Sequence, residues 1–234
     1  MNAIHHALSK LGSMKLFFSR SLAAIFVIGV ATSQSSHSAT IILPVTYRGY
    51  VQSSGNSSGG SATKNFVANH PGSITPTISW FGFDLSGQTA TSIVSAKLYL
   101  YNPSTGITGN GTYTLWDVSS ASKSLLNTSG FSGQTAVYAD LGGGTSYASR
   151  NFTTADNANY MVFDLNSAGL ADLQAAWGTG FFDIGGAATG NSAFANSNTV
   201  LQNQTYLEIV PEPSALSLLG VGLAALAVVR RRSR

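Results

Sequence analysis

IVSAKLYLY, at Ile93–Tyr101, alternates strictly between two kinds of side chain. One face would carry the apolar residues Val94, Ala96, Leu98 and Leu100. The other face would carry Ser95, Lys97, Tyr99 and Tyr101. A period of two is typical of an antiparallel strand with one face in a core and the other toward solvent. The stretch therefore predicts a half-buried strand and, with it, a β-sheet domain.

Other short β-prone runs extend in both directions, separated by clusters of glycine, serine, asparagine and threonine. Residues 75–85 are a second strong candidate, because Trp80 is followed by apolar residues at every second position. Weaker strand predictions cover residues 41–51, 63–68, 111–118, 136–141, 147–152, 159–165, 180–185 and 205–210. Residues 40–209 are therefore predicted to form one all-β domain, an antiparallel, jelly-roll-like β-sandwich.

A single short helix is predicted in this domain, at residues 168–177. Leu170, Leu173 and Trp177 fall on one helical stripe, and Gly178 would end the helix. The 171 residues from 40 to 210 are enough for a two-sheet core without a second domain.

Two segments of the predicted domain echo each other. FGFDLSG, at residues 81–87, and MVFDLNS, at 161–167, each end an apolar strand in Phe-Asp-Leu before a small polar turn. With SAKLYLY at residues 95–101, they resemble the paired signatures of the DNRLRE / CBM96-like family of jelly-roll domains. The resemblance implies a domain that decorates a surface protein and that binds polysaccharide in some members. It assigns no binding residue.

The charged residues are distributed unevenly. The chain has 12 basic and nine acidic residues, a formal charge of +3. Between residues 40 and 210, however, five basic residues stand against eight acidic ones, which gives −3. A phosphate-binding surface is therefore not expected, and no nucleic acid is predicted as a partner. The absence of cysteine excludes disulfides, thiolate zinc sites and cysteine nucleophiles.

Residues 1–39 have the three-part layout of a secretory signal peptide. Lys10, Lys15 and Arg20 precede the apolar run LAAIFVIGVA at residues 22–31, and a serine-rich stretch follows. This run is too short for a membrane span, which needs about 20 residues. We therefore predict export, with cleavage near Ser38 or Ala39. A start at Met14 would give a more compact signal.

The last 25 residues, 210–234, have a different layout. Pro211, Glu212 and Pro213 precede an apolar run at 215–229, and the chain closes on the arginines Arg230, Arg231, Arg232 and Arg234. The run would make a transmembrane helix of about 24 Å at 1.5 Å per residue. The arginines would hold its end in the cytoplasm, which places the body across the inner membrane.

In order and spacing, this terminus resembles the PEP-CTERM sorting signal of exported bacterial proteins. The resemblance implies processing by exosortase, a membrane-embedded, transpeptidase-like enzyme, and association with exopolysaccharide and biofilm matrix. It implies transient anchoring by the C-terminal helix and then a place on the outer surface or in the extracellular matrix. A plain tail anchor is the alternative, but such an anchor has no need of a Pro-Glu-Pro triplet.

The body offers few side chains for catalysis. Its acidic residues fall at turns or beside apolar strand neighbours, which favours solvated or turn-capping roles over a paired acid and base. They are Asp84, Asp117, Asp140, Asp156, Asp164, Asp172, Asp183 and Glu208. His70 is the one histidine left after signal removal, so neither a triad nor a usual zinc site is expected. No cofactor is predicted, although loop oxygens leave structural calcium open.

Tyr99 and Tyr101 are the candidate ligand-facing residues, because they lie opposite the apolar face of their predicted strand and flat rings suit sugar faces. Two functional classes stay open. The first is a non-catalytic cell-surface or extracellular-matrix protein, sorted by its tail and associated with exopolysaccharide. The alternative is a secreted polysaccharide-active enzyme or carbohydrate-binding module with an unrecognised site. The missing acid pair and the single histidine favour the first class.

Overall fold

The structure is a computed structural model that describes residues 39–61, 66–69, 75–89, 92–190, 194–195 and 205–212. Residues 39–212 belong to one compact unit. The predicted signal up to residue 38, His70, Pro213, the apolar run at 215–229 and the terminal arginines lie outside the described residues.

Strands are the main secondary structure of this unit. The described strands are β1 Ile41–Pro44, β2 Tyr47–Gln52, β3 Val67–Ala68, β4 Thr77–Asp84, β5 Ile93–Tyr101, β6 Gly111–Trp116, β7 Ser146–Phe152, β8 Tyr160–Asp164, β9 Phe181–Thr189, β10 Phe194–Ala195 and β11 Thr205–Pro211. The described helices are α1 Ser120–Leu126, α2 Thr135–Leu141 and α3 Ser167–Ala176, with a 3-10 turn at Thr154–Asp156.

The strands form two main sheets in which every pairing is antiparallel. Sheet 1 has the order β1-β11-β5-β8, and sheet 2 has the order β2-β4-β9-β6-β7. A short ribbon pairs β3 with β10. The chain crosses from sheet 2 to sheet 1 after β4 and returns after β5. The prediction of an antiparallel, jelly-roll-like β-sandwich is confirmed.

The core lies between the inner faces of the two sheets. Ala96, Leu98 and Leu100 of β5 belong to the same buried cluster as Phe83 of β4 and Phe163 of β8. Each fully buried large apolar side chain contributes roughly 1.5–3 kcal/mol relative to an exposed one. The strict alternation along β5 thus supplies one wall of the core.

Val94 is an exception to that alternation, because it is 53% exposed rather than buried. Val210 of β11 pairs with Ser95, but the next residue, Pro211, pairs with Ile93. Val94 is thus the extra residue of a β-bulge, and the side chain beyond the bulge points to the other face of the sheet. Ile93 therefore packs against the core in place of Val94.

The prediction of a single helix is wrong, since the described residues contain three α-helices. Residues 136–141, predicted as a strand, lie in α2, where Val137 and Leu141 are buried four residues apart. That spacing fits a helix as well as a short apolar run fits a strand, so periodicity alone did not separate them. Helix α1 has no counterpart among the predictions, and its buried residues Ser122 and Leu126 show the same spacing.

The predicted helix at 168–177 is present as α3, with bounds shifted by one residue. The side chain of Asn166 caps its first turn by accepting hydrogen bonds from the backbone N–H groups of Ala168 and Gly169. Gly178 has a φ of +74°, a conformation that favours glycine, and follows the end of the helix.

Helices α1 and α2 cover the outer face of sheet 2. Trp80 of β4 is fully buried there, in a second cluster with Val51, Leu126 and Leu141. The approach of α2 is close, because a Cβ on Gly185 of β9 would lie 2.3 Å from the carbonyl oxygen of Leu141. The outer face of sheet 1 carries half-buried tyrosines and charged side chains, and the candidate site lies there.

Candidate functional site

Four tyrosines lie together on the outer face of sheet 1. Alternation along each strand points them away from the core, and strand pairing sets Tyr206 opposite Tyr99 and Tyr160 opposite Tyr101. We call this group the tyrosine platform; its members are Tyr99 and Tyr101 of β5, Tyr160 of β8 and Tyr206 of β11. Three neighbouring strands therefore contribute to one aromatic surface.

The rings of the platform support one another. Tyr99 and Tyr206 stack with their centroids 4.6 Å apart and an angle of 11° between planes. Tyr160 meets Tyr101 edge-on at 5.3 Å, and it meets Tyr206 at 5.8 Å. Tyr160 is 38% exposed, and the other three rings are half-buried. Because each ring is held by its neighbours, little side-chain freedom remains to be lost when a flat ligand binds.

A row of charged side chains borders the platform one step along the strands. Lys97 of β5 pairs with Glu208 on one side and with Asp164 on the other. Its Nζ lies 3.0 Å from Asp164 Oδ1, and this hydrogen bond raises the pKa of Lys97. Burial, followed by the negative charge of Glu208, raises the pKa of Tyr99 above its usual value. The Tyr99 hydroxyl is protonated at neutral pH, as in any ordinary tyrosine, and Glu208 is a hydrogen-bond partner for it.

A polar groove of about 500 Å³ runs between β7 and β8. These strands are end strands of sheets 2 and 1, respectively. The residues that line the groove include Ser146, Ser149, Arg150, Asp164 and Asn166. Asp164 also belongs to the charged row, so the groove opens beside the platform.

The walls of the groove are held by local hydrogen bonds. Asn166 Nδ2 donates to the carbonyl oxygen of Ser146 at 2.7 Å, which ties the end of β8 to the start of β7. Arg150 Nη2 lies 2.6 Å from Asp156 Oδ1, so its charge is already paired within the chain. The groove therefore offers neutral hydrogen-bonding groups more than free charge.

The tyrosine platform contains both sequence-predicted candidates, Tyr99 and Tyr101, and it adds Tyr160 and Tyr206, which the sequence reasoning missed. A signal was present, since Tyr160–Asp164 and Thr205–Pro211 each place their tyrosine opposite a buried apolar set. The order of strands in the sheet, which brings the rings together, cannot be read from that alternation.

Most of the acidic residues do have the predicted turn-capping or solvated roles. Asp84 accepts hydrogen bonds from Ser86, Asp140 from Ser119, and Asp117 from the backbone N–H of Thr145. Asp156 caps the 3-10 turn through Thr153 N–H. These carboxylates hold turns and the ends of neighbouring elements in place.

Asp183 of β9 is the exception, because it is buried at 1% exposure and was predicted to be solvated or at a turn. The hydroxyl of Tyr47 donates to its Oδ1, whereas its Oδ2 has no hydrogen-bond partner in the described part of the chain. Burial raises the pKa of Asp183. The sequence neighbours Phe182 and Ile184 do not indicate that Asp183 is buried, because the residues that bury it, such as Tyr47 of β2, belong to other elements.

The described residues contain neither a group of side chains suited to a metal ion nor a helix suited to span a membrane. No three His, Cys, Asp or Glu side chains there are grouped so that they could hold a metal ion. None of the helices described has the length and apolar character needed to cross a membrane, and the predicted span at 215–229 lies outside them.

Comparison with known proteins identifies the C-terminal segment. Residues 210–232 match the PEP-CTERM protein-sorting motif, which indicates export, exosortase processing and a surface or extracellular location. No curated protein matches the sequence of the chain. One similar solved structure is a xylan-binding module CBM15, with 11% identity, a TM-score of 0.32, and coverage of 76% of this chain and 99% of that chain.

Proposed function

We propose that this chain is a non-catalytic protein of the cell surface or extracellular matrix whose β-domain binds a polysaccharide on the tyrosine platform. The observation that carries the proposal is the grouping of four tyrosines on one half-exposed sheet face. Export, which the sorting motif indicates, would bring this face into contact with extracellular polysaccharide. Exopolysaccharide of the biofilm matrix is the ligand class that we propose.

The chemistry of the face fits an uncharged or weakly charged sugar chain. Tyrosine rings offer apolar area for the C–H faces of sugars and a hydroxyl for hydrogen bonds. Lys97 is paired with Asp164, and Arg150 is paired with Asp156, so neither cation is left to favour a strongly anionic ligand. The polar groove beside β8 would take a part of the chain that extends past the rings.

The absence of catalysis is part of the proposal. Asp84, Asp117 and Asp140 accept hydrogen bonds from the backbone N–H groups of Ser86, Thr145 and Ser119, respectively. Asp164 is paired with Lys97. An acid and base for glycoside hydrolysis must face the sugar across a cleft, and these engagements give the carboxylates structural roles instead.

Retention of the protein by immobilised polysaccharides tests the proposal. A panel of neutral and acidic polysaccharides, including the exopolysaccharide of the producing cells, is compared by affinity electrophoresis. Tyr99→Ala with Tyr206→Ala removes the stacked pair, and we expect retention to fall about tenfold or more, by analogy with bases stacked on aromatic side chains, where the loss is about 1–3 kcal/mol per base.

Two controls sharpen this test. Tyr99→Phe with Tyr206→Phe keeps both rings and should keep most of the retention. Tyr138→Ala removes a half-buried tyrosine from α2, on the other sheet, and should leave retention unchanged. If no polysaccharide retains the protein, or if Tyr138→Ala weakens retention as much as the platform variant does, the proposed binding site is wrong.

A further inference from the structure

The sorting motif and the β-domain share residues. The matched motif begins at residue 210, and strand β11 ends at Pro211. Pro211 is buried and pairs with Ile93, and the backbone N–H of Glu212 donates to the carbonyl oxygen of Ser92 at 2.8 Å. The first residues of the motif are therefore the end of a paired strand and the residue that follows it, with no linker between strand and motif.

The local geometry explains how a proline fits there. Because N–H groups alternate along a strand, the Glu212 N–H on the β5 side places the missing N–H of Pro211 on the opposite side. That side faces β1, whose pairing with β11 has already ended at Ile41 and Ile209. Proline breaks no ladder hydrogen bond at such a position.

The partner of Pro211 is itself held in place. The bulge at Val94 turns Ile93 toward the core, where it packs against the main cluster. Its backbone N–H donates to Gln174 Oε1 of α3 at 2.9 Å. The end of β11 thus rests on a strand that α3 secures from its other side.

We propose that the fold covers the first three residues of the sorting motif, so that exosortase gains access to residues 210–212 only after the end of β11 has left the sheet. The backbone groups that pair with β5 are the same groups that an enzyme would need to hold this segment in an extended form. The rate of processing then follows the fraction of molecules in which the strand end is open. This inference rests on the sorting motif and is independent of polysaccharide binding.

A second, uncovered copy of the shared residues tests the proposal. In the full-length chain, Ser-Gly-Ser-Gly-Val-Pro is inserted between Pro211 and Glu212, in cells that contain the exosortase. The original strand end stays in the sheet, and an intact Val-Pro-Glu-Pro follows it on a flexible spacer. Pulse-chase labelling should show processing about tenfold faster than in the unaltered chain, because the open fraction no longer limits recognition.

The matched control inserts Ser-Gly-Ser-Gly-Ser-Gly at the same place. It moves the domain equally far from the tail but restores no Val-Pro before Glu212, so we expect processing to fall below that of the unaltered chain. If the two insertions are processed at the same rate, recognition begins at Glu212 and the proposal is overturned. Processing of the Val-Pro insertion at the unaltered rate overturns it as well.

A reversible lock gives an independent test. Ser95 and Val210 lie directly opposite each other on neighbouring strands, within the range that a disulfide can bridge. The chain has no cysteine, so Ser95→Cys with Val210→Cys can form only this bond within one molecule. We expect the oxidised protein to remain unprocessed and reduction to restore the rate of Val210→Cys alone. Equal processing of the oxidised double variant and the single variant would show that the strand end need not open.

Discussion

The outer faces of the two sheets both carry large aromatic side chains, but the described residues cover only one of these faces. On sheet 2, Trp80 is completely buried beneath α1 and α2. On sheet 1, Tyr99 and Tyr160 remain partly open to solvent and contact mainly other tyrosines of the platform. Similar alternation along the strands has therefore produced a second core on one side and a candidate binding surface on the other.

An outward-facing aromatic residue can be assigned to the core or to a binding surface only when the elements that pack over it are known. Trp80 lies in a strand whose residues are almost all buried, on both faces. Tyr99 lies in a strand that is buried on one face only. Aromatic residues in the first setting contribute to stability, and those in the second are available to a ligand.

The largest effect is expected on the covered face. Trp80→Ala would leave a cavity between sheet 2 and the helices, and such truncations cost about 3–5 kcal/mol. The urea midpoint for unfolding should fall accordingly, while retention by polysaccharide should persist in the protein that stays folded. A small change in midpoint would mean that α1 and α2 do not seal this face.

The buried carboxyl group of the covered face gives the next effect. The pKa of Asp183 is raised in the folded state, so its contribution to stability is fully present below the ordinary aspartate pKa and is lost as pH rises through the raised value. Asp183→Asn should therefore raise the free energy of unfolding at pH 7, because the amide carries no charge that burial penalises. At about pH 3, below the ordinary pKa, the variant should differ little from the unaltered protein.

Asp172→Asn is the matched control for this prediction. Asp172 also accepts a hydrogen bond from a tyrosine, Tyr147, at 2.6 Å, but it lies at an exposed position of α3. We expect no stabilisation from this substitution at pH 7. Equal pH profiles for the two variants would contradict the assignment of the effect to burial of Asp183.

A smaller loss of stability is expected on the open face. Tyr160→Ala removes ring contacts with three neighbouring tyrosines, and such aromatic pairs are worth about 0.5–1.5 kcal/mol. Retention by polysaccharide should fall more strongly than the unfolding midpoint, which separates a surface role from a core role. A loss of stability as large as that of Trp80→Ala would make the platform a part of the core.

The smallest effect is expected at the edge of the platform. Lys97→Ala breaks the ion pair with Asp164, in which both side chains are exposed to solvent, at 39% and 75%. Exposed ion pairs contribute little and are screened by salt, so the unfolding midpoint should not change measurably at 0.15 M salt. A clear drop that disappears in 1 M salt would show that the charged row supports the open face.

Prediction from the sequence succeeded where a strand buries one face. The alternation in Ile93–Tyr101 correctly assigned Ala96, Leu98 and Leu100 to the core. It failed at Val94, because a bulge is created by the register with β11 and leaves no mark in the β5 sequence. It failed again at residues 136–141, where spacing alone did not separate helix from strand.

The residue order by itself determined which positions alternate along β5 and that residues 210–232 carry a sorting motif, because each of these depends on neighbours along the chain. The tertiary structure alone decided that Tyr160 and Tyr206 join Tyr99, that Asp183 is enclosed, and that the motif begins inside a paired strand. Strand order and helix placement arise from contacts between residues far apart in sequence. Burial is a property of whatever packs on top of a residue, which its own neighbours along the chain do not specify.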